Sequence, residues 1–313
     1  MLNMRDVTIR QLRAVAAIAR NGKITLAASE LCLTSPAVTE QLKLLEDRLG
    51  VRLFHRTRIG LRPTDAGLRL VETAARMEAL LADCREQLRA IKGLAGGRVT
   101  IGVVGTAKYY APRIIASFAE RHPQIELQLL IGNRAETTEA LRNYEIDVAI
   151  MGRPPDGFPV EEAVFGPHPH VVIAPPSHPL VASETPIARH CLSGEKLLLR
   201  EVGSGTRQLF EMLFCGIELA EPAIRIEIGS NETIKQAVMA GLGLAFISAH
   251  TIELEVKAGR LAILNIKDLP VIREWYLVHR QDKELTPAAT AFWHYVLKEG
   301  QSFLPRVSGV GPR

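Results

Sequence analysis

The sequence predicts an α/β chain in three parts: a small basic head, one long helix and a two-lobed body. Three observations carry this prediction. The positive charge is gathered at one end of the chain. Apolar residues recur at spacings of four and three from Leu70 to Ile91. From Arg98 onward, stretches of strand and helix character alternate, the order that builds a largely parallel sheet.

The head is read first. Residues 1–65 hold eleven Lys/Arg against six Asp/Glu, a net of +5, whereas the rest of the 313-residue chain holds 27 against 28. Such asymmetry points to a polyanion as partner for the head alone. Ile9, Leu12, Val15, Ala16 and Ala19 fall on one face of a helix over 8–20, which Asn21-Gly22 ends. A second helix is expected over 24–31, with Leu26, Ala27 and Ala28 packed closely. A third runs to Leu49 with Val38, Leu42, Leu45 and Leu49 inward. Thr34 or Ser35 caps it, and Pro36 suits its first turn because no N–H bond is lost there. Gly50 stops it.

Two short helices joined by a tight turn form a helix-turn-helix, whose second helix presents its first residues to base edges in the major groove. Here those are Thr34, Ser35, Pro36, Thr39 and Glu40, then Gln41 and Lys43. Alternation over 51–62 with a glycine tip predicts a hairpin wing, and its Arg56 and Arg58 are expected on phosphate or in the minor groove.

Next comes the stripe Leu70, Ala74, Met77, Leu81, Cys84, Leu88 and Ile91, a heptad seam on a helix ~40 Å long. Such a seam either packs on its own domain or pairs two chains; its narrowness on a protruding helix favours pairing, which also gives two heads for two half-sites. Gly93, Gly96 and Gly97 break the helix.

In the body, strands are expected at 98–104, 125–131 and 147–151, with helices at 111–121 and 136–144. A second set begins near Val171 and takes in 196–200, a helix from Thr206, 224–228, a helix from Thr233 and 244–247. The chain recrosses over 271–279 and closes with a helix over 287–299. Ligands of such α/β lobes bind at the carboxyl ends of strands. The loops there are 105–110, 132–136 and 203–207, with 152–155 and 230–233 in similar positions. Each sets N–H groups and hydroxyls at a helix start, an arrangement that binds anions. The candidate ligand residues are Thr106, Lys108, Asn133, Arg134, Arg153, Ser204, Gly205, Thr206, Arg207 and Asn231. With Arg200 nearby, that many cations suit phosphate better than a lone carboxylate.

Residues 10–12, Ala27-Ala28, 35–39, Leu44, Glu46, 53–56, Pro63-Thr64 and Ala66-Gly67 resemble those of the LysR-type transcriptional regulators. The resemblance covers the whole chain. It implies a winged helix-turn-helix (1–65), a linker dimerisation helix (66–96) and a periplasmic-binding-protein-like effector domain (97–313). Lobe I would be 97–167 with 271–313, and lobe II 168–270. It also implies a cytoplasmic homodimer assembling to a homotetramer, binding double-stranded DNA at an interrupted palindrome and engaging RNA polymerase. The wording of 102–112, 131–136, 151–155, 230–238 and 246–253 is similar to the CbbR group, regulators of CO2-fixation (Calvin-cycle, RuBisCO) operons. That similarity implies an activator with ribulose bisphosphate, phosphoenolpyruvate or NADPH as effector, and does not choose among them. Arg134 and Arg207 are then expected to carry the metabolite response.

Other classes fare worse. A carboxylate effector and a different operon remain the alternative within the family. An enzyme fused to a DNA-binding head would need a catalytic set. There is no G-x-S-x-G elbow, and no base pairs with Ser204 or Thr206. His168, His170 and His178 sit among prolines without metal-ligand spacing. A purely architectural DNA binder would not need a two-lobed body. No apolar run reaches the ~18 residues of a membrane span, and the N-terminus does not read as a secretory signal. The widely spaced cysteines, 32, 84, 191 and 215, are expected to be reduced and mostly buried.

Overall fold

The computed structural model opens with α1 (Ile9–Asn21), α2 (Ile24–Glu30) and α3 (Ser35–Leu49). The structure describes residues 6–91, 96–215, 225–307 and 310, and of the side chains at 83, 86, 87, 89–91 and 225 nothing is said. Expectations at the Ile91 side chain, Gly93 and 224 therefore lie outside it, as do residues 308, 309 and 311–313 of the tail.

Local chemistry sets the first three helices. Thr8 and Gln11 form a reciprocal capping box at the start of α1, and Gly22 ends it at a φ of 65°. Thr34 accepts from the Ala37 N–H at 3.4 Å to cap α3, with Pro36 in its first turn. Val15, Ile18, Val38 and Leu45 are fully buried, each contributing ~1.5–3 kcal/mol. Leu26, expected to pack, is exposed instead; Ala27 and Ala28 supply the contact face of α2.

β1 (Phe54–Thr57) and β2 (Gly60–Pro63) form the wing, an antiparallel pair with Arg56 opposite Leu61. Gly60 has a φ of +139°, and a Cβ there would stand 2.3 Å from the Gly22 carbonyl oxygen. That carbonyl accepts from the Leu61 N–H at 2.7 Å, so the wing is tied to the end of α1 and only glycine fits.

α4 (Asp65–Ile91) follows. It divides the predicted seam. Leu70 and Ala74 are buried in the head's own core, with Met77 packed against it. Leu81, Cys84 and Leu88 are exposed. The first half of the stripe is thus covered by the head itself, α1 above all; the Arg13–Glu78 pair, 2.6 and 3.1 Å, fastens the same two helices. The head and α4 together make one compact unit ending at Lys92, and the rest of the chain makes a second.

The second unit is built on one nine-stranded sheet. β3 (Gly97–Val104), α5 (Ala111–Arg121), β4 (Ile125–Gly132), α6 (Arg134–Arg142) and β5 (Val148–Met151) give the first lobe, with β3 parallel to both its neighbours. Every residue of β5 is buried, as expected of a strand covered on both faces. β6 (Val160–Ala174) then crosses to the second lobe. There β7 (Leu197–Arg200), α7 (Gly205–Leu213), β8 (Arg225–Ile228), α8 (Asn231–Met239) and β9 (Leu244–Ser248) repeat the pattern, β7 lying parallel to β8 and β9. Short α9 (Glu253–Lys257) and β10 (Ala262–Ile263) lead to β11 (Val271–Arg280), which returns antiparallel to β6, and α10 (Pro287–Glu299) packs on the first lobe. Side-chain alternation puts Leu197 and Leu199 in one core of the second lobe and Leu198 in the other.

Two expectations are corrected here. The second set does not begin at Val171: β6 starts eleven residues earlier and is fifteen residues long. Pro167 and Pro169 hid it, since proline cannot donate to a ladder. Both sit where β11 flanks the strand and β9 has not yet joined, its pairing starting at His170. The cysteines are free as expected, but all four are exposed rather than buried, because they fall in a turn, on helix surfaces and at a helix end.

Candidate functional site

Two surfaces gather the residues singled out by the sequence. On the head, the start of α3 carries Thr34, Pro36, Thr39 and Glu40 exposed, Ser35 and Gln41 half-buried, and Lys43 exposed one turn on. The Thr39 hydroxyl donates back to the Ser35 carbonyl at 2.9 Å, leaving its oxygen outward. Arg56 and Arg58 are exposed on the wing. The wing's root is held by Glu46, whose buried carboxylate accepts from the Leu53 N–H at 2.7 Å and from Arg52 at 3.0 Å. A hydroxyl-rich helix start beside an arginine-bearing hairpin can meet base edges and phosphates together.

In the second unit a cleft of about 110 Å³ lies between the lobes. Its lining brings together the loop after β3 (Gly105, Thr106), the start of α6 (Asn133, Arg134), the loop after β5 (Gly152, Arg153) and the start of α7 (Ser204, Gly205, Thr206). Arg200 and Arg273 join from β7 and β11. Arg134 donates from Nη2 to the Pro154 carbonyl at 2.9 Å, while its Nε is buried with no hydrogen-bond partner. Burial first, and the neighbouring Arg153 second, pull its pKa below the ordinary arginine value. Ser204 stands at the N-cap of α7 without using its side chain as a cap, so that helix start is open toward the cleft. A guanidinium with an unused donor beside a helix N-terminus can hold an anion by both charge and hydrogen bonding. Among the described residues no cluster of His, Cys, Asp and Glu could hold a metal ion.

The comparisons with known proteins bear on both surfaces. The bacterial regulatory helix-turn-helix family model, lysR family, matches residues 9–68. The LysR substrate binding domain model matches residues 92–301. The chain belongs to the LysR family. It is a DNA-binding transcription regulator with an effector-binding domain, not an enzyme, as both matched families are regulatory. A Sinorhizobium medicae protein named HTH-type transcriptional regulator CbbR is 52% identical over 305 residues, covering 97% of each chain. The RuBisCO operon transcriptional regulator of Allochromatium vinosum is 42% identical over 295 residues, covering 94% of this chain and 96% of its own. The Synechocystis PCC6803 CcmR regulatory domain, solved in complex with 2-PG, is 34% identical with a TM-score of 0.61, covering 64% of this chain and 96% of that one.

Within this LysR-family effector domain, not every expected residue reaches the cleft. Thr106, Asn133, Arg134, Arg153, Ser204, Gly205 and Thr206 line it. Asn133 does so while its Oδ1 accepts from the Glu136 N–H, in a capping box that closes the start of α6. Arg207 points elsewhere: it pairs with Glu211 at 2.8 Å and Glu227 at 2.5 Å. Two residues into α7, the helical turn carries it away from the loop toward β8. Lys108 lies over the Tyr109 ring, 5.3 Å from its centroid, outside the lining. Asn231 is buried behind it, accepting from the Arg200 guanidinium and donating to the Gly105 carbonyl at 3.3 Å. It positions Arg200, which Glu201 also holds at 2.8 and 2.9 Å. The sequence reading missed His168, His170, Gln208, Leu209, Met212 and Arg273. The two histidines carried a signal, a spacing of two on what is one face of a strand.

Proposed function

We propose that this LysR-type regulator activates a CO2-fixation (RuBisCO) operon in response to a phosphorylated metabolite held between the two lobes. The unpartnered Nε of Arg134, buried beside Arg153 at the start of α7, carries the reading. A buried donor left unpaired costs ~1–3 kcal/mol, and a phosphoryl oxygen supplies the missing acceptor. The names of the relatives support the operon. Ribulose bisphosphate, phosphoenolpyruvate and NADPH are the candidate effectors, and 2-PG joins them from the Synechocystis domain.

In this reading the exposed half of α4, Leu81 to Leu88, pairs two chains, and pairs assemble to a homotetramer. Thr34, Ser35, Pro36, Thr39, Glu40, Gln41 and Lys43 read an interrupted palindrome while Arg56 and Arg58 hold phosphate. The effector favours one inter-lobe arrangement, and only that difference in affinity shifts the assembly toward the form that engages RNA polymerase. The setting is the cytoplasm; among the described residues no helix is long and apolar enough to cross a membrane.

The test is thermal unfolding against ribulose bisphosphate, phosphoenolpyruvate, NADPH, 2-PG and inorganic phosphate. An effector at a hundred times its Kd stabilises the native state by ~2.7 kcal/mol. A saturable rise with one phosphorylated compound, lost in Arg134→Met and kept in Arg207→Met, supports the cleft. No rise with any of them removes the phosphate reading and turns the search to carboxylates.

A further inference from the structure

Behind the arginines, imidazoles form part of the cleft wall. His168 and His170 on β6 are buried and both line the cleft. The His168 ring stacks on Trp275 of β11, with 3.7 Å between centroids and 16° between planes. Its Nε2 meets Ser248 Oγ of β9 at 2.9 Å. Its Nδ1 is buried without a hydrogen-bond partner. That nitrogen faces Gly152, another residue of the lining, where a Cβ would stand only 2.9 Å away. Glycine at 152 is what keeps a side chain off it. His170 differs, because its Nδ1 is already engaged with the His168 carbonyl at 3.2 Å.

We infer that His168 is a direct contact for the anion in the cleft, and that it makes this contact by taking a proton from solvent, so that anion binding and charging of the imidazole are one event. This rests on the anion reading of the cleft given above. Burial pulls the His168 pKa well below its ordinary value, so the ring is neutral, and His170, His250 and Arg273 oppose a proton further. Tyr110, edge-on to Trp275 and His250, stays uncharged through burial. Arg134, Arg153 and Arg200 add positive charge around the lining, and the nearby carboxylates Asp156 and Glu201 are paired to arginines. An incoming dianion cancels the surplus positive charge that opposes a proton there, and its oxygen offers the proton an acceptor. The protonated ring then donates from both nitrogens, Nε2 to Ser248 and Nδ1 to the anion.

Sulfate is the probe, because its charge is constant through the neutral range and any proton taken up belongs to the protein. Calorimetry of the full-length regulator at pH about 6.5, in buffers of different ionisation heat, counts those protons. The expected uptake approaches about one proton per sulfate bound, with affinity falling by up to ~10-fold per pH unit as pH rises. His168→Phe keeps a ring against Trp275. The double variant His168→Phe/Ser248→Ala also removes the hydroxyl that would be left alone. Either variant is expected to bind sulfate without proton uptake and without pH dependence. Sulfate binding to the wild-type protein with no proton uptake overturns the inference and leaves the anion cleft standing. Uptake that survives in both variants assigns the proton to another group and overturns it too. Failure of sulfate to bind at any pH removes both readings.

Discussion

Replacing Glu46 with alanine should unfasten the wing. The Glu46 side chain is 9% exposed. Its Oε1 accepts from the Leu53 N–H at 2.7 Å and, more weakly, from the Phe54 N–H at 3.4 Å. Leu53 and Phe54 are themselves buried, anchoring the root of the hairpin. In Glu46→Ala the Leu53 donor is left buried and unpaired, at ~1–3 kcal/mol. The longer bond and the exposed Arg52 partner add less than ~1 kcal/mol between them. A loss of ~2–3 kcal/mol lowers the midpoint of a unit this size by ~10–20 °C. Glu46→Gln keeps one acceptor without the charge and should lose ~1 kcal/mol. The chain offers a built-in control: both its tryptophans, Trp275 and Trp293, lie in the second unit. Circular dichroism should show an early helical transition in the variant, while the tryptophan fluorescence transition stays put. DNA affinity should fall with the wing. If Glu46→Ala unfolds with wild-type midpoints and binds DNA normally, this carboxylate does not hold the hairpin.

Three further outcomes follow from the same reasoning. Arg56→Ala should weaken binding to every DNA sequence alike and flatten the salt dependence by ~0.9 in the log–log slope; loss of discrimination at one base pair would instead make Arg56 a reader of sequence. Leu70→Ala should destabilise the head by ~2–5 kcal/mol without changing assembly, and Leu88→Asp should do the reverse, as read by unfolding and light scattering; identical effects of the two would show that the stripe acts as one seam. Burial lowers His170 to about 3 and His250 to about 4. Their unfolded forms bind protons from pH ~6.5 downward, so their contribution is complete above that pH and is lost toward pH 4. Each should cost up to ~1.4 kcal/mol per pH unit through that window, seen as a falling fluorescence midpoint; a flat profile to pH 4.5 would contradict their burial as neutral rings.

What the sequence revealed, it revealed through period and punctuation. The three-four spacing of Leu12, Val15 and Ala19 and the stops at Gly22 and Gly50 place the head helices within a residue or two. β5 reads as a buried strand from its unbroken apolar run. Direction was harder. Arg207 sits beside a glycine-rich loop just as Arg134 does, yet its place two residues into α7 aims it at Glu227. Spacing also could not say what covers a stripe. Leu70 and Leu88 belong to one four-three stripe, and tertiary packing alone distinguishes them. The histidines of β6 were obscured by Pro167 and Pro169, whose usual meaning is the end of a strand and here is a strand with one neighbour.

The crossing strands have a mechanical consequence. β6 and β11 stay hydrogen-bonded from Val160 to His170, with one register shift between Trp275 and Tyr276. The lobes thus share a ribbon and are not strung on two loose tethers. Turning one against the other means twisting that ribbon, which stores elastic strain and permits small angles only. A ligand that needs only such a small turn loses little affinity to ordering the walls of the cleft. The loops at the cleft's edge can then change without altering the ribbon that joins the lobes.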